Sequence, residues 1–189
     1  MMNQHDTADR QVIPAQFISF LLAGVIGLLG DALLNRPATT IAFKFADAIF
    51  ITGCILVAMK LARKGWDLPA AGYTVLSIAW GGFFLAKDFA SQEMGRDIAG
   101  SVFYFLLPSL ILIALYRPFP LWIKLLTLAA MLPSLLQLIV LKTDTLSDYE
   151  NLIRKLGFTL IHLISLVWGS FFYWQYQRDV TRSTTTNKS

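Results

Sequence analysis

Six long apolar segments fill this chain, at Val12–Leu34, Ile41–Ala62, Pro69–Ala86, Ile98–Tyr116, Pro120–Leu141 and Ile153–Tyr176. Charged residues crowd into the gaps between them. None of the segments alternates polar with apolar positions, as a barrel strand of ~9–11 residues must. Each is close to the ~20 apolar residues that carry a helix across a ~30 Å hydrocarbon core. A helix on a water-soluble domain keeps a polar stripe, whereas these segments are apolar nearly all round. The pattern predicts an all-α polytopic membrane protein, a six-helix transmembrane bundle. Residues 1–11 read as a cytoplasmic N-terminal tail, 12–176 as the six-span domain and 177–189 as a flexible cytoplasmic C-terminal tail.

Composition supports that reading. Apolar residues make up 56% of the 189 and charged residues 15%, against ~45–50% and ~25% in soluble domains. The first segment is expected to be a true span, because Asp6 and Asp9 oppose a basic leader and no small-residue cleavage pattern follows. Cys54 is the one cysteine, so no intramolecular disulfide forms, and its place in an apolar span marks it as a packing residue. Zinc and iron–sulfur sites need more Cys and His ligands than this chain offers. A haem held by His5 and His162 would require the N-terminal tail to fold inward. No cofactor, no metal and no nucleic acid are expected; the lipid bilayer is the expected surrounding.

The balance of basic residues sets the orientation. Arg10, Lys60, Arg63, Lys64, Arg117, Lys124, Arg178, Arg182 and Lys188 fall on the side of the termini. Arg36, Lys44, Lys87, Arg96, Lys142, Arg154 and Lys155 fall on the other. The excess points to both termini in the cytoplasm; the plasma membrane is the expected location. Trp66, Trp122, Trp174, Tyr116 and Tyr176 lie at span ends on the terminal side, as an interfacial aromatic belt does.

Two internal echoes divide the chain. Gly72-Tyr73-Thr74 followed by Trp80-Gly81-Gly82-Phe83-Phe84 in the third span matches Gly157-Phe158-Thr159 followed by Trp168-Gly169-Ser170-Phe171-Phe172 in the sixth. The two spans run in opposite directions, so a true repeat would make two inverted three-helix halves, an arrangement used by many secondary transporters. Chance within a small apolar alphabet gives the same echo. The second echo, Leu107-Pro108-Ser109-Leu110 and Leu132-Pro133-Ser134-Leu135, puts two prolines at one depth. Each removes a backbone hydrogen bond, freeing the carbonyls of Tyr104 and Ala129. Paired kinks there would frame a midplane site, or serve packing alone.

The polar residues inside the spans are the candidate chemistry. His162 lies eight residues, ~12 Å, past Arg154 along a helix, and ionisable groups at that depth are costly and often functional. Gln137 shares a helix face with Pro133, and Ser165 shares one with His162. Ser109, Ser134, Gln137, His162 and Ser165 would form one pocket. Asp31 and Asp47, nearer the far side, would supply a charged rim with Lys87, Asp88, Arg96 and Asp97 at one level. Lys44 precedes Asp47 by three residues and is expected to neutralise it locally. Ala23 and Gly27 make a small-residue contact for helix packing.

Ser101 and His162 are placed in a way that resembles the serine–histidine pair of rhomboid intramembrane proteases. Ala99-Gly100-Ser101-Val102 lacks that family's second glycine. Gly30-Asp31-Ala32-Leu33-Leu34 resembles the aspartate motif of lysoplasmalogenase-type membrane hydrolases, without the His and Tyr of the following span. No function is carried over from either. The sequence leaves three readings. The first is binding or transport of a small polar solute, coupled to a proton, through His162, Gln137, Ser109, Ser134, Asp31 and Asp47. The second is a non-catalytic partner or regulatory subunit, as a homodimer or with another membrane protein. The third is an intramembrane hydrolase.

Overall fold

The computed structural model describes residues 4–33, 36–89, 93–143 and 149–186. Its helices are α1 (Gln4–Leu33), α2 (Arg36–Arg63), α3 (Asp67–Ala86), α4 (Glu93–Ala114), α5 (Leu121–Ala129), α6 (Met131–Thr143) and α7 (Glu150–Thr186), with a 3₁₀ turn at Lys87–Phe89. No strand occurs among the described residues. Six spans are long and apolar enough to cross a membrane: Val12–Leu29, Ala38–Arg63, Asp67–Phe89, Asp97–Ala114, Leu121–Val140 and Leu152–Thr181. They coincide with the six segments read from the sequence. The end of the bundle that carries both termini is called the terminal face below.

The spans form a closed ring. Each packs on its neighbour in chain order, and α7 returns against α1 to complete the circle. Aromatic side chains from several helices meet inside it. Phe20 and Phe50 lie 5.7 Å apart, Phe20 and Trp168 6.4 Å, Phe50 and Trp80 4.6 Å, and Tyr73 and Trp168 5.2 Å. Leucines and isoleucines such as Ile41, Leu121 and Leu132 point outward and are exposed. This distribution, apolar outside and aromatic inside, suits lipid-facing helices better than a core surrounded by water.

Local chemistry explains the breaks. The fifth span is divided at Ala130 into α5 and α6. Pro133 has no N–H for the Ala129 carbonyl, so the helix interrupts there. Pro108, by contrast, stays within a continuous α4, and it is exposed on the outside of the ring while Pro133 is buried. The two prolines therefore do not face one another across a shared pocket. Their helices present different faces to the interior, which a common depth does not reveal.

The turn from α2 to α3 closes tightly. Gly65 has φ +74°, its N–H donates to Ala62 O, and Trp66 N–H donates to Leu61 O. These paired bonds define a Schellman cap, whose left-handed position glycine adopts without strain. Trp66 then packs edge-on against Tyr116 at 5.2 Å, and Tyr116 against Phe119 at 5.0 Å. Burial and the nearby Asp179 push the Tyr116 phenol up to about 12, although a bond with Gln175 pulls the other way. An aromatic layer thus covers the terminal face of the ring.

Candidate functional site

At the end of the bundle opposite the termini, α2 and the 3₁₀ turn that follows α3 exchange two ion pairs. The Lys44 ammonium donates to Asp88, and the Lys87 ammonium donates to Asp47. This corrects the expected local pairing of Lys44 with Asp47. Asp47 turns into the ring and is 2% exposed, while Lys44 follows the outer face towards Asp88. Lys44 also lies 5.6 Å from the Phe84 ring, and Lys87 5.7 Å from the Phe43 ring.

The second oxygen of Asp47 is satisfied from within. Trp80 Nε1 donates to it at 3.0 Å. Lys87, the first residue of the 3₁₀ turn that continues α3, follows Trp80 by seven residues, about two helical turns, so both reach the same carboxylate from one side. One aspartate thereby accepts from an ammonium and from an indole, which meets the requirement that a buried charge be paired and hydrogen-bonded.

His162 packs on the same indole. Its ring centroid is 5.8 Å from Trp80, 6.4 Å from Phe50 and 6.3 Å from Phe158. His162 Nδ1 lies 2.7 Å from Phe158 O. A carbonyl only accepts, so Nδ1 carries the hydrogen and a neutral ring leaves Nε2 as its acceptor. That side of the ring rests on α1 at Gly27, where an added Cβ would come within 2.0 Å of the imidazole. Gly27, expected to serve helix packing, makes room for this histidine. Gly24 does the same for Leu166.

Trp80 also borders a cavity between α3, α4, α6 and α7. Phe158, Ser134, Gln137 and Arg154 are among its walls, and its volume is about 20 Å³, enough for one water. The Gln137 amide nitrogen donates to Glu150 Oε1 at 3.5 Å, and its oxygen has no partner among the described residues.

The structure thus brings the sequence candidates into two adjoining groups joined by Trp80. Asp47 and His162 form one; Ser134 and Gln137 form the other. Ser109 and Ser165 are buried but belong to neither, because their hydroxyls donate to Leu106 O and His162 O of their own helices. The side chains of Asp31 and Arg96 lie outside the described residues. Ser101 donates to Asp97 O and lines a separate groove between α3 and α4, away from the residues packed around His162.

Two contributors went unrecognised in the sequence, Trp80 as the hub and Lys87 as the partner of Asp47. Their i, i+7 spacing was the available signal. Nearer the terminal face, the second buried tryptophan is held differently: Trp168 Nε1 donates to Thr127 at 3.2 Å, and Thr127 donates to Ile123 O at 2.8 Å. Both ends of the Gln16 amide and the Tyr73 hydroxyl are buried there without a partner among the described residues.

Among the described residues, no group of three or more His, Cys, Asp or Glu is arranged to hold a metal ion. What the fold and site define is a six-helix ring with a paired carboxylate, a histidine and a water-sized cavity around one indole. No protein-family model, no curated protein and no solved structure matches this chain.

Proposed function

We propose that this chain is a six-span integral membrane protein that binds or carries a small solute in exchange for a proton. Asp47 and His162 are the exchanging groups, and Ser134 and Gln137 line the adjoining solute space. The observation that carries this reading is the Asp47 carboxylate, buried within a span and held by Trp80 from inside and by the partly exposed Lys87 from the rim. Ionisable groups buried within a span are costly and often mark ion or solute pathways. His162, packed on the same indole, gives a second side chain that can carry a proton.

The matching roles of Trp80 and Trp168 support an arrangement of two inverted halves. Each is a buried indole in a Trp-Gly-x-Phe-Phe segment, and each donates to a side chain on another helix. The excess of basic residues on the terminal face supports a plasma-membrane protein with both termini cytoplasmic. The test is uptake into proteoliposomes across a panel of small metabolites, with and without a pH gradient. Gradient-dependent uptake that Asp47→Asn abolishes is the expected result; no uptake and no proton movement under any condition refutes it.

A second reading, a non-catalytic membrane partner, is favoured by the close packing around His162 and by the groove between α3 and α4. That groove, about 350 Å³, is lined by apolar residues such as Ile78 and Phe105. This reading expects co-purification with a fixed companion and indifference to His162→Ala.

A further inference from the structure

Gln137 is 3% exposed and lines the cavity beside Trp80. Its orientation is set by chemistry. A carboxylate only accepts, so the amide nitrogen faces Glu150 Oε1 and the amide oxygen is turned away. That oxygen has no partner among the described residues. A buried acceptor left unpaired in a native structure is a place for an absent donor. The cavity holds about 20 Å³, a volume that admits one water. Trp80, Phe83, Phe103 and Phe158 contribute its apolar walls, and Arg154, itself exposed, stands on its rim.

The donor's chemistry follows from those groups. An anion would bring lone pairs against the amide oxygen's own. The Glu150 carboxylate and the Arg154 guanidinium stand close together here, so the site carries no excess of either sign to favour a cation. A neutral molecule with one O–H or N–H and a short apolar remainder satisfies the oxygen and lies against the rings. We propose that this cavity receives the hydroxyl of a small neutral hydrogen-bond donor, a short alcohol or its like, which anchors on Gln137 Oε1 while its short apolar remainder lies towards the open rim at Arg154. The proposal rests on the solute-carrier reading and names the class of solute.

Fluorine NMR of the full-length protein in detergent tests it. The chain has five tryptophans, so 5-fluorotryptophan gives one resonance for each, with that of Trp80 identified by its loss in Trp80→Phe. Titration uses methanol, acetonitrile as an acceptor-only probe of similar size, and methylammonium as the cation. The expected result is a saturable shift of the Trp80 resonance with methanol alone, weakened at least tenfold in Gln137→Leu. A silent Trp80, an equal response to acetonitrile, a response to methylammonium instead of methanol, or an undiminished shift in Gln137→Leu overturns it. The contrast between methanol and acetonitrile in the unaltered protein decides the matter even if Gln137→Leu fails to fold. Binding without uptake in proteoliposomes supports this site and removes the carrier reading; uptake with a silent Trp80 overturns the site and leaves the carrier.

Discussion

Trp80 and Trp168 sit in echoing segments and are equally buried, yet the two ends of the bundle use them differently. Trp168 donates to Thr127, whose hydroxyl donates in turn to its own helix, so that chain of bonds is short, neutral and closed. Trp80 donates to a carboxylate that also holds Lys87, and Lys87 is 28% exposed. One indole therefore ends in backbone and the other reaches charge at the rim. A hydrogen bond to a charged group contributes ~1.5–3 kcal/mol against ~0.5–1.5 for a neutral one. The difference teaches where the bundle spends stability on something other than packing. A neutral bond would have served Trp80 as well, so the charge beside it calls for a use.

Substitutions at the charged end should break this contrast most strongly. Lys87→Ala leaves the buried Asp47 carboxylate without its cation and should cost ~3–5 kcal/mol, the usual penalty for breaking a buried pair from one side. Asp47→Asn should cost less, since it leaves a lysine that already reaches solvent. Combining the two should recover stability relative to Lys87→Ala alone. Denaturant unfolding in mild detergent measures all three.

The tryptophans offer the direct comparison. Trp80→Phe should lower stability by ~1.5–3 kcal/mol through its lost bond to a charged acceptor, and Trp168→Phe by ~0.5–1.5 through a neutral one. Equal losses would erase the distinction between the ends. Gly27→Ala should cost ~1–3 kcal/mol by overpacking against the imidazole, and His162→Ala in the same chain should relieve it. Gly24→Ala meets only the flexible end of Leu166 and should cost less.

The smallest effect belongs to the terminal face. Tyr116 ionises near 12 in the fold and near ~10 when unfolded. The folded state then holds the phenolic proton more tightly, so stability present below pH ~10 is lost as pH rises towards ~12. Melting temperature measured across that window should fall, and fall less steeply in Tyr116→Phe.

How much of this was legible beforehand varies by level. The six spans were readable because a helix in lipid needs an unbroken apolar length, and length survives without knowledge of packing. The missing N–H is readable at Pro108 and Pro133 alike, yet only the helix at Pro133 is interrupted, so that signal alone does not tell which proline breaks its helix. Which way a side chain points was not. Segments apolar all round carry no stripe to separate the inner face from the outer, so the sequence alone does not show that Pro108 and Pro133 face apart or that Asp47 turns away from Lys44. Only the contact with α3 shows that Asp47 turns inward to Trp80 and Lys87. Ser134, Gln137 and His162 were recognisable as buried polar groups in apolar spans, and Ser109 equally so. Nothing in the sequence distinguished a serine bonded to its own helix from one beside a cavity.

The proposed exchange of protons by Asp47 and His162 is tested most directly by proton flux into proteoliposomes loaded with a pH-sensitive dye, after an imposed pH jump. Flux above that of empty liposomes is expected for the unaltered protein, with loss of the excess in both Asp47→Asn and His162→Phe. Flux from the unaltered protein no greater than from empty liposomes would contradict it.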